Sequence, residues 1–268
     1  MRTAGPSLAG GLVQIFNAAS ALSVQALTFA CSGPLLWRIR HREPARSVAT
    51  HASVRGALVA GLRFVWRQPL VRAFTLSDAT FLFSFAVVYA VQLVFFTREL
   101  GLSPAVIGVI FTVGSIGGLL GGMVSRPIGV RLTTGRTILA GSILRASGIA
   151  MVPLAALAGS AAVPLLVFSR LVNAFGWTLW EVHQETTQQL LAPAGLRGRV
   201  NGSVQFVVRG VDALGAFAGA GLAALLGVFP TLAAGAAGAL LGTAWLATSR
   251  LWGLRTPPPQ ADDPEPAD

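Results

Sequence analysis

Residues 104–125 read PAVIGVIFTVGSIGGLLGGMVS, without one charged side chain. A helix needs roughly 20 mostly apolar residues to cross about 30 Å of hydrocarbon, and this stretch supplies them. Ser103-Pro104 opens it and Arg126 closes it. Six further stretches have similar length and character: 19–38, 72–97, 137–158, 163–182, 202–226 and 229–249. The whole composition agrees. Of 268 residues 53% are hydrophobic and 11% charged, with a mean hydropathy of +0.67, whereas a soluble domain carries about 25% charged residues. An aqueous globular protein is excluded, and so is intrinsic disorder, which needs low hydrophobicity. The sequence predicts an all-α, polytopic transmembrane helix bundle of seven spans. Ahead of the spans, AGPSLAGGLV (4–13) is apolar but too short to cross. It reads as a re-entrant piece or as the end of a helix whose beginning is missing.

Arginine fixes the orientation. The net charge is +10, and all 20 basic residues are Arg. Eight of them, from Arg38 to Arg72, lie in the stretch 38–72. Arg126, Arg131 and Arg136 fall in the next connection on that side, Arg197 and Arg199 in the one after, and Arg250 and Arg255 at the C-terminus. The alternate connections hold only Arg98, beside Glu99. By the positive-inside rule the Arg-rich side is cytoplasmic. The expectation is a multi-pass protein of the cell (inner) membrane with its C-terminus in the cytoplasm. Interspersed with apolar runs in this way, the arginines suit loops facing a bilayer surface and exclude a nucleic-acid partner.

Other segments fall into place around the spans. Within the loop 39–71, Val54, Leu58, Leu62, Val65 and Trp66 recur at helical spacing, while Arg55, Arg63 and Arg67 line another face. That is an amphipathic helix suited to the interface, or a solvated linker helix. The acidic, Pro-rich tail 253–268 is expected to be disordered. Cys31 excludes an intramolecular disulfide and reads as inert packing. Phe29 and the continuing run Leu35-Leu36-Trp37 argue against a lipoprotein cysteine there.

Helices in lipid associate through close backbone approach at small residues. Gly114, Gly118 and Gly122 recur every four residues, with Gly117 and Gly121 beside them, and Gly215 with Gly219 repeat the pattern. These are expected to be helix-packing stripes. Charged residues at mid-depth mark functional sites or internal pairs. Arg145 and Arg170 are mid-helix, and Arg209 and Asp212, three apart, are placed to pair with each other. Asp78 lies nearer the interface. Either these residues face a water-filled cavity, where they bind substrate or relay protons, or they are salt bridges that hold helices in register. Glu181, His183 and Glu185 read as a solvated helix end. There is no nucleophile elbow, HExxH or P-loop, so no enzyme, catalytic residue, metal or cofactor is expected.

Four stretches carry a resemblance. GPSLAGGLV (5–13) followed by ALSVQALTF (21–29) looks like the end of helix five and all of helix six of a major facilitator superfamily transporter. GLRFVWRQPLVRAF (61–74) is similar to the junction into helix seven. RPIGVRLTTGR (126–136) is similar to the superfamily's Gly/Arg loop motif between helices eight and nine, and LRGRVNGSVQF (196–206) to the start of helix eleven. The chain resembles the drug and siderophore exporter branch, enterobactin-exporter-like and macrolide-efflux-like. Gln25 stands where the family often has an acid in helix six, and the loop motif's usual Asp is replaced near Ser125.

The resemblance implies a partial facilitator fold. Residues 1–38 would form the stub and first full span, 39–71 the cytoplasmic loop, and 72–252 a six-helix C-terminal transporter half. It further implies proton-coupled efflux of a small amphipathic molecule by alternating access, from a truncated or partial chain. Arg145, Arg170, Arg209 and Asp212 would be the substrate-binding or proton-relay candidates, and Arg131, Gly135 and Arg136 the cytoplasmic gate. The partners would be the bilayer, a small-molecule substrate, and a complementary N-terminal half or a second copy. A non-transporting membrane scaffold or gene remnant, or a half-transporter that needs a partner, is the alternative.

Overall fold

The computed structural model describes residues 54–193 and 195–249, together with 30, 31, 33, 251 and 254. The predicted span 19–38, the stub and the tail 253–268 fall almost wholly outside these residues. Cys31, expected to pack inertly, is exposed.

Six helices among the described residues are long and apolar enough to cross a membrane, and each covers one predicted span. They follow α1 (Val54–Arg67), the expected amphipathic helix. The first crossing, α2 (Pro69–Val94), begins at a proline, whose missing N–H is no loss in the first turn, and runs on through a π-turn at Phe95–Glu99. Ser103 caps α3 (Pro104–Leu132), its hydroxyl accepting from the Val106 N–H at 3.4 Å. Then come α4 (Thr134–Leu154), α5 (Ala162–Leu191), α6 (Arg197–Leu226) and α7 (Val228–Ala247). Gly227, at φ 88°, makes the whole reversal from α6 to α7, a conformation that only glycine takes at no steric cost.

Among consecutive helices only α4 and α5 pack closely, and the packing is otherwise interleaved. α2 lies against α6 and α7, α5 lies against α3 and α4, and α4 meets α7. The first helix of each triplet, α2–α3–α4 and α5–α6–α7, therefore packs on the second and third helices of the other. Three crossings per triplet make the second run opposite to the first, the arrangement of an inverted repeat. α1 joins this body through Ser203, whose hydroxyl donates to the Leu58 carbonyl at 3.0 Å.

The close contacts are made by glycine. At Gly148 an added Cβ would lie 2.6 Å from the Asn173 backbone nitrogen, and at Gly176 2.6 Å from Leu144 Cβ, so α4 and α5 meet nearly backbone to backbone. Gly215 and Gly219 do the same for α6 against Phe83 and Val87 of α2, as the spacing predicted. On α3 the stripe is displaced. Gly114 abuts Arg170 and Gly118 is buried, but Gly122 is exposed, with only a Thr178 methyl at 3.8 Å. Gly117 and Gly121 take its place against Leu171 and Phe175. A four-residue spacing drifts around a 3.6-residue helix, and the intervening glycines keep the seam on α5.

Candidate functional site

One face of α2 carries Asp78, Phe81, Phe85, Tyr89 and Gln92, at successive offsets of three or four residues and so on one side of the helix. It extends over about 21 Å at the helical rise. Phe81 and Phe85 stack at 6.0 Å between ring centroids, and Phe85 and Tyr89 at 5.7 Å. Trp177 of α5 meets both Phe81 and Phe85 edge-on at 5.5 Å. An aromatic ladder thus joins two polar ends, each holding one arginine.

At the first end Arg145 of α4 is fully buried and donates from Nη1 to Asp78 Oδ1 at 3.0 Å. Its guanidinium lies 3.6 Å from the Trp180 ring centroid and 4.1 Å from that of Phe81. Asn173 Nδ2 donates to the Arg145 carbonyl at 2.7 Å, and Ser169 Oγ to the Gly148 carbonyl at 2.7 Å, fixing α5 against α4. At the other end Arg170 of α5 donates to Gln92 Oε1 at 2.5 Å and lies 4.5 Å over the Phe111 ring of α3. Both arginines are large cations taken out of water. Their flat faces are covered by rings, whose negative π-faces attract a cation.

Asp78, read from the sequence as nearer the interface than Arg145, lies level with it along the bundle. It lies about 9 Å along α2 from Arg72 and about 14 Å from the helix start at Pro69. Arg145 is about 16 Å into α4, from the same side of the bundle, so the two side chains come level. The expected Arg209–Asp212 pair does not form. Arg209 is exposed, Asp212 is half-buried, and no ion pair joins them.

The expected gate is built differently from its reading. Arg131 and Arg136 are exposed around the α3–α4 turn, but Thr133 and not Gly135 takes the positive φ, 73°. Gly135 lies in the first turn of α4, where its N–H donates to the Leu254 carbonyl at 3.1 Å and a Cβ would collide with the Leu251 carbonyl. Its small size admits the C-terminal segment. Glu181, His183 and Glu185 lie inside α5, which continues well past its apolar part. His183 Nδ1 is 3.1 Å from the Leu179 carbonyl.

Sequence reading missed a polar cavity of about 310 Å³ on the same side of the bundle. Glu185, Gln188 and Gln189 of α5 line it with Asn201 and Gln205 of α6. Its signal was the pairing of amides four residues apart, Gln184 with Gln188 and Asn201 with Gln205, each on one helix face. Gln184 Nε2 donates to Gln188 Oε1 at 2.7 Å.

Interleaved triplets of membrane-crossing helices, with a buried arginine at each end of an aromatic face, have the build of a secondary-transporter half. The chain belongs to the transmembrane secretion effector family of major-facilitator, drug-exporter-like proteins, whose family model matches residues 1–266. It is similar to the multidrug efflux pump Tap of Mycolicibacterium fortuitum, 28% identical over 235 residues. The match covers 86% of this chain and 55% of that pump, so the chain spans about half the length of its curated relative. No solved structure matches it.

Proposed function

We propose that the protein is a facilitator-type exporter component that moves a small amphipathic molecule out of the cell by alternating access, coupled to protons. The observation that carries this reading is the Asp78–Arg145 pair. It ties α2 to α4 at mid-depth, where a charge persists only if it is paired or functional. Asp78 carries the proton in this mechanism. Its side chain keeps 19% exposure while Arg145 keeps none, so a proton can reach the carboxylate and release the bridge without hydrating the arginine. Phe85, Tyr89 and Trp177 offer the apolar body of the substrate a flat, partly exposed surface beside that switch. Arg209 and Asp212 face the same path from α6, and the exposed Arg131 and Arg136 latch the cytoplasmic side. The Arg-rich ends point to the cytoplasm of an inner membrane. A second half completes the path, either a complementary N-terminal half or a second copy.

The test is made in the native host, which supplies any partner. Strains lacking and carrying the chain are loaded with a panel of fluorescent amphiphiles of both charge signs. The chain lowers accumulation of at least one dye, a protonophore removes the difference, and Asp78→Asn behaves as the deletion while reaching the membrane at the wild-type amount. Equal accumulation in both strains for every dye overturns the reading.

A further inference from the structure

The two arginines of the α2 face differ in one respect. Arg145 has a carboxylate at 3.0 Å, whereas Arg170 has none within ion-pair distance among the described residues. Arg170 is nonetheless only 9% exposed and Gln92 only 3%. The one polar contact given to this guanidinium is to Gln92 Oε1, at 2.5 Å. That bond turns the Gln92 amide nitrogen away, and Gln92 Nε2 and Arg170 Nε are both buried without a hydrogen-bond partner. A buried cation with no counter-charge, and two buried N–H donors with no acceptor, are each unfavourable when empty. One group can answer all three demands, a planar oxyanion, which accepts more than one N–H bond and neutralises the guanidinium. Next to it, Tyr89 is 56% exposed and stacked on Phe85, with Trp177 closing the corner.

We propose that Arg170 and Gln92 form an anion subsite on the transport path. It takes an aromatic molecule bearing a carboxylate or another delocalised oxyanion, whose ring lies against Phe85, Tyr89 and Trp177. This deepens the exporter reading and rests on it to the extent that this face of α2 and α5 lines the path.

The experiment is equilibrium dialysis of the full chain in nanodiscs against three probes that share one ring system: 2-naphthoate, 2-naphthamide and 2-naphthylmethylammonium. The anion binds at least about tenfold more tightly than either of the others. Gln92→Glu supplies Arg170 with an internal carboxylate of the same size, so it keeps the fold and brings the three probes within about twofold of one another. Arg170→Gln does the same where it folds. Equal affinities in the wild type, or a wild-type preference retained in Gln92→Glu, overturns the proposal. The two readings fail separately. Anion preference without dye export sinks the transport reading and leaves the subsite standing, whereas export without anion preference sinks only the subsite.

Discussion

Removing the Asp78 carboxylate strands Arg145. The guanidinium has 0% exposure, so no water replaces the lost partner. Breaking a buried pair in this way costs about 3–5 kcal/mol. The rings of Trp180 and Phe81, at 3.6 and 4.1 Å, remain in place; their attraction to the cation is present before and after and offsets nothing. A change of 1 kcal/mol shifts the Tm of a chain this size by about 2–4 °C, so Asp78→Ala lowers it by about 6–20 °C. Asp78→Asn keeps an acceptor for Arg145 Nη1 and falls between, at a cost of about 1–3 kcal/mol. Asp78→Leu with Arg145→Met replaces both charges by apolar groups, a change that is often neutral, and returns to within about 5 °C of the wild type. The assay is thermal unfolding followed by tryptophan fluorescence, all variants in the same detergent. A Tm for Asp78→Ala within about 2 °C of the wild type, or a double variant as unstable as the single, refutes the coupling.

Three further outcomes follow from packing and backbone geometry. Gly148→Ala pushes a methyl to 2.6 Å from the Asn173 backbone nitrogen and costs about 1–3 kcal/mol through overpacking. Gly221→Ala, in the same kind of helix but with nothing within 4 Å, is neutral or gains up to about 1 kcal/mol, and the two are compared by the same melts. Thr133→Gly relieves a β-branched residue held at φ 73° and ψ 151°, a region nearly confined to glycine, and raises stability by about 1 kcal/mol. Arg209→Gln, at an exposed residue that makes no ion pair with Asp212, changes stability by less than about 0.5 kcal/mol, although it weakens export if Arg209 faces the path.

Hydrophobic length marked the six crossings among the described residues because the bilayer imposes it, and each helix matches its predicted stretch, from 72–97 to 229–249, to within a few residues at most ends. Their ends were less legible. The span ending at 125 continues as helix to Leu132 through Arg126 and Pro127, and that ending at 182 continues to Leu191. The lipid requirement stops at the interface while backbone hydrogen bonding does not, and glutamate and glutamine are good helix formers. The pairing of charges was legible only within one helix. Arg209 with Asp212 was the local choice, whereas Asp78 and Arg145 are joined by an interhelical contact that no sequence period encodes. The contact of Arg170 with Gln92 was likewise hidden, since Gln92 comes from another helix and carries no charge. Gly215 and Gly219 were readable because they suit the spacing of a single straight seam. On α3 the seam passes from Gly114 to Gly117 and Gly121, and of the four-residue series only Gly122 turns outward.

Solvent access along the aromatic ladder tests the central claim most directly. In a Cys31→Ser background, single cysteines at Phe85, Tyr89 and Trp177 are compared with single cysteines at Leu119 and Leu241, apolar positions exposed on α3 and α7. Intact membranes are treated with a charged thiosulfonate that reacts only in water. If α2 and α5 line a hydrated transport path, the three ladder positions label and the two outer positions do not. Labelling absent from the ladder, with wild-type behaviour of alanine at Arg145, Arg170 and Arg209, contradicts the account and leaves a bundle that transports nothing.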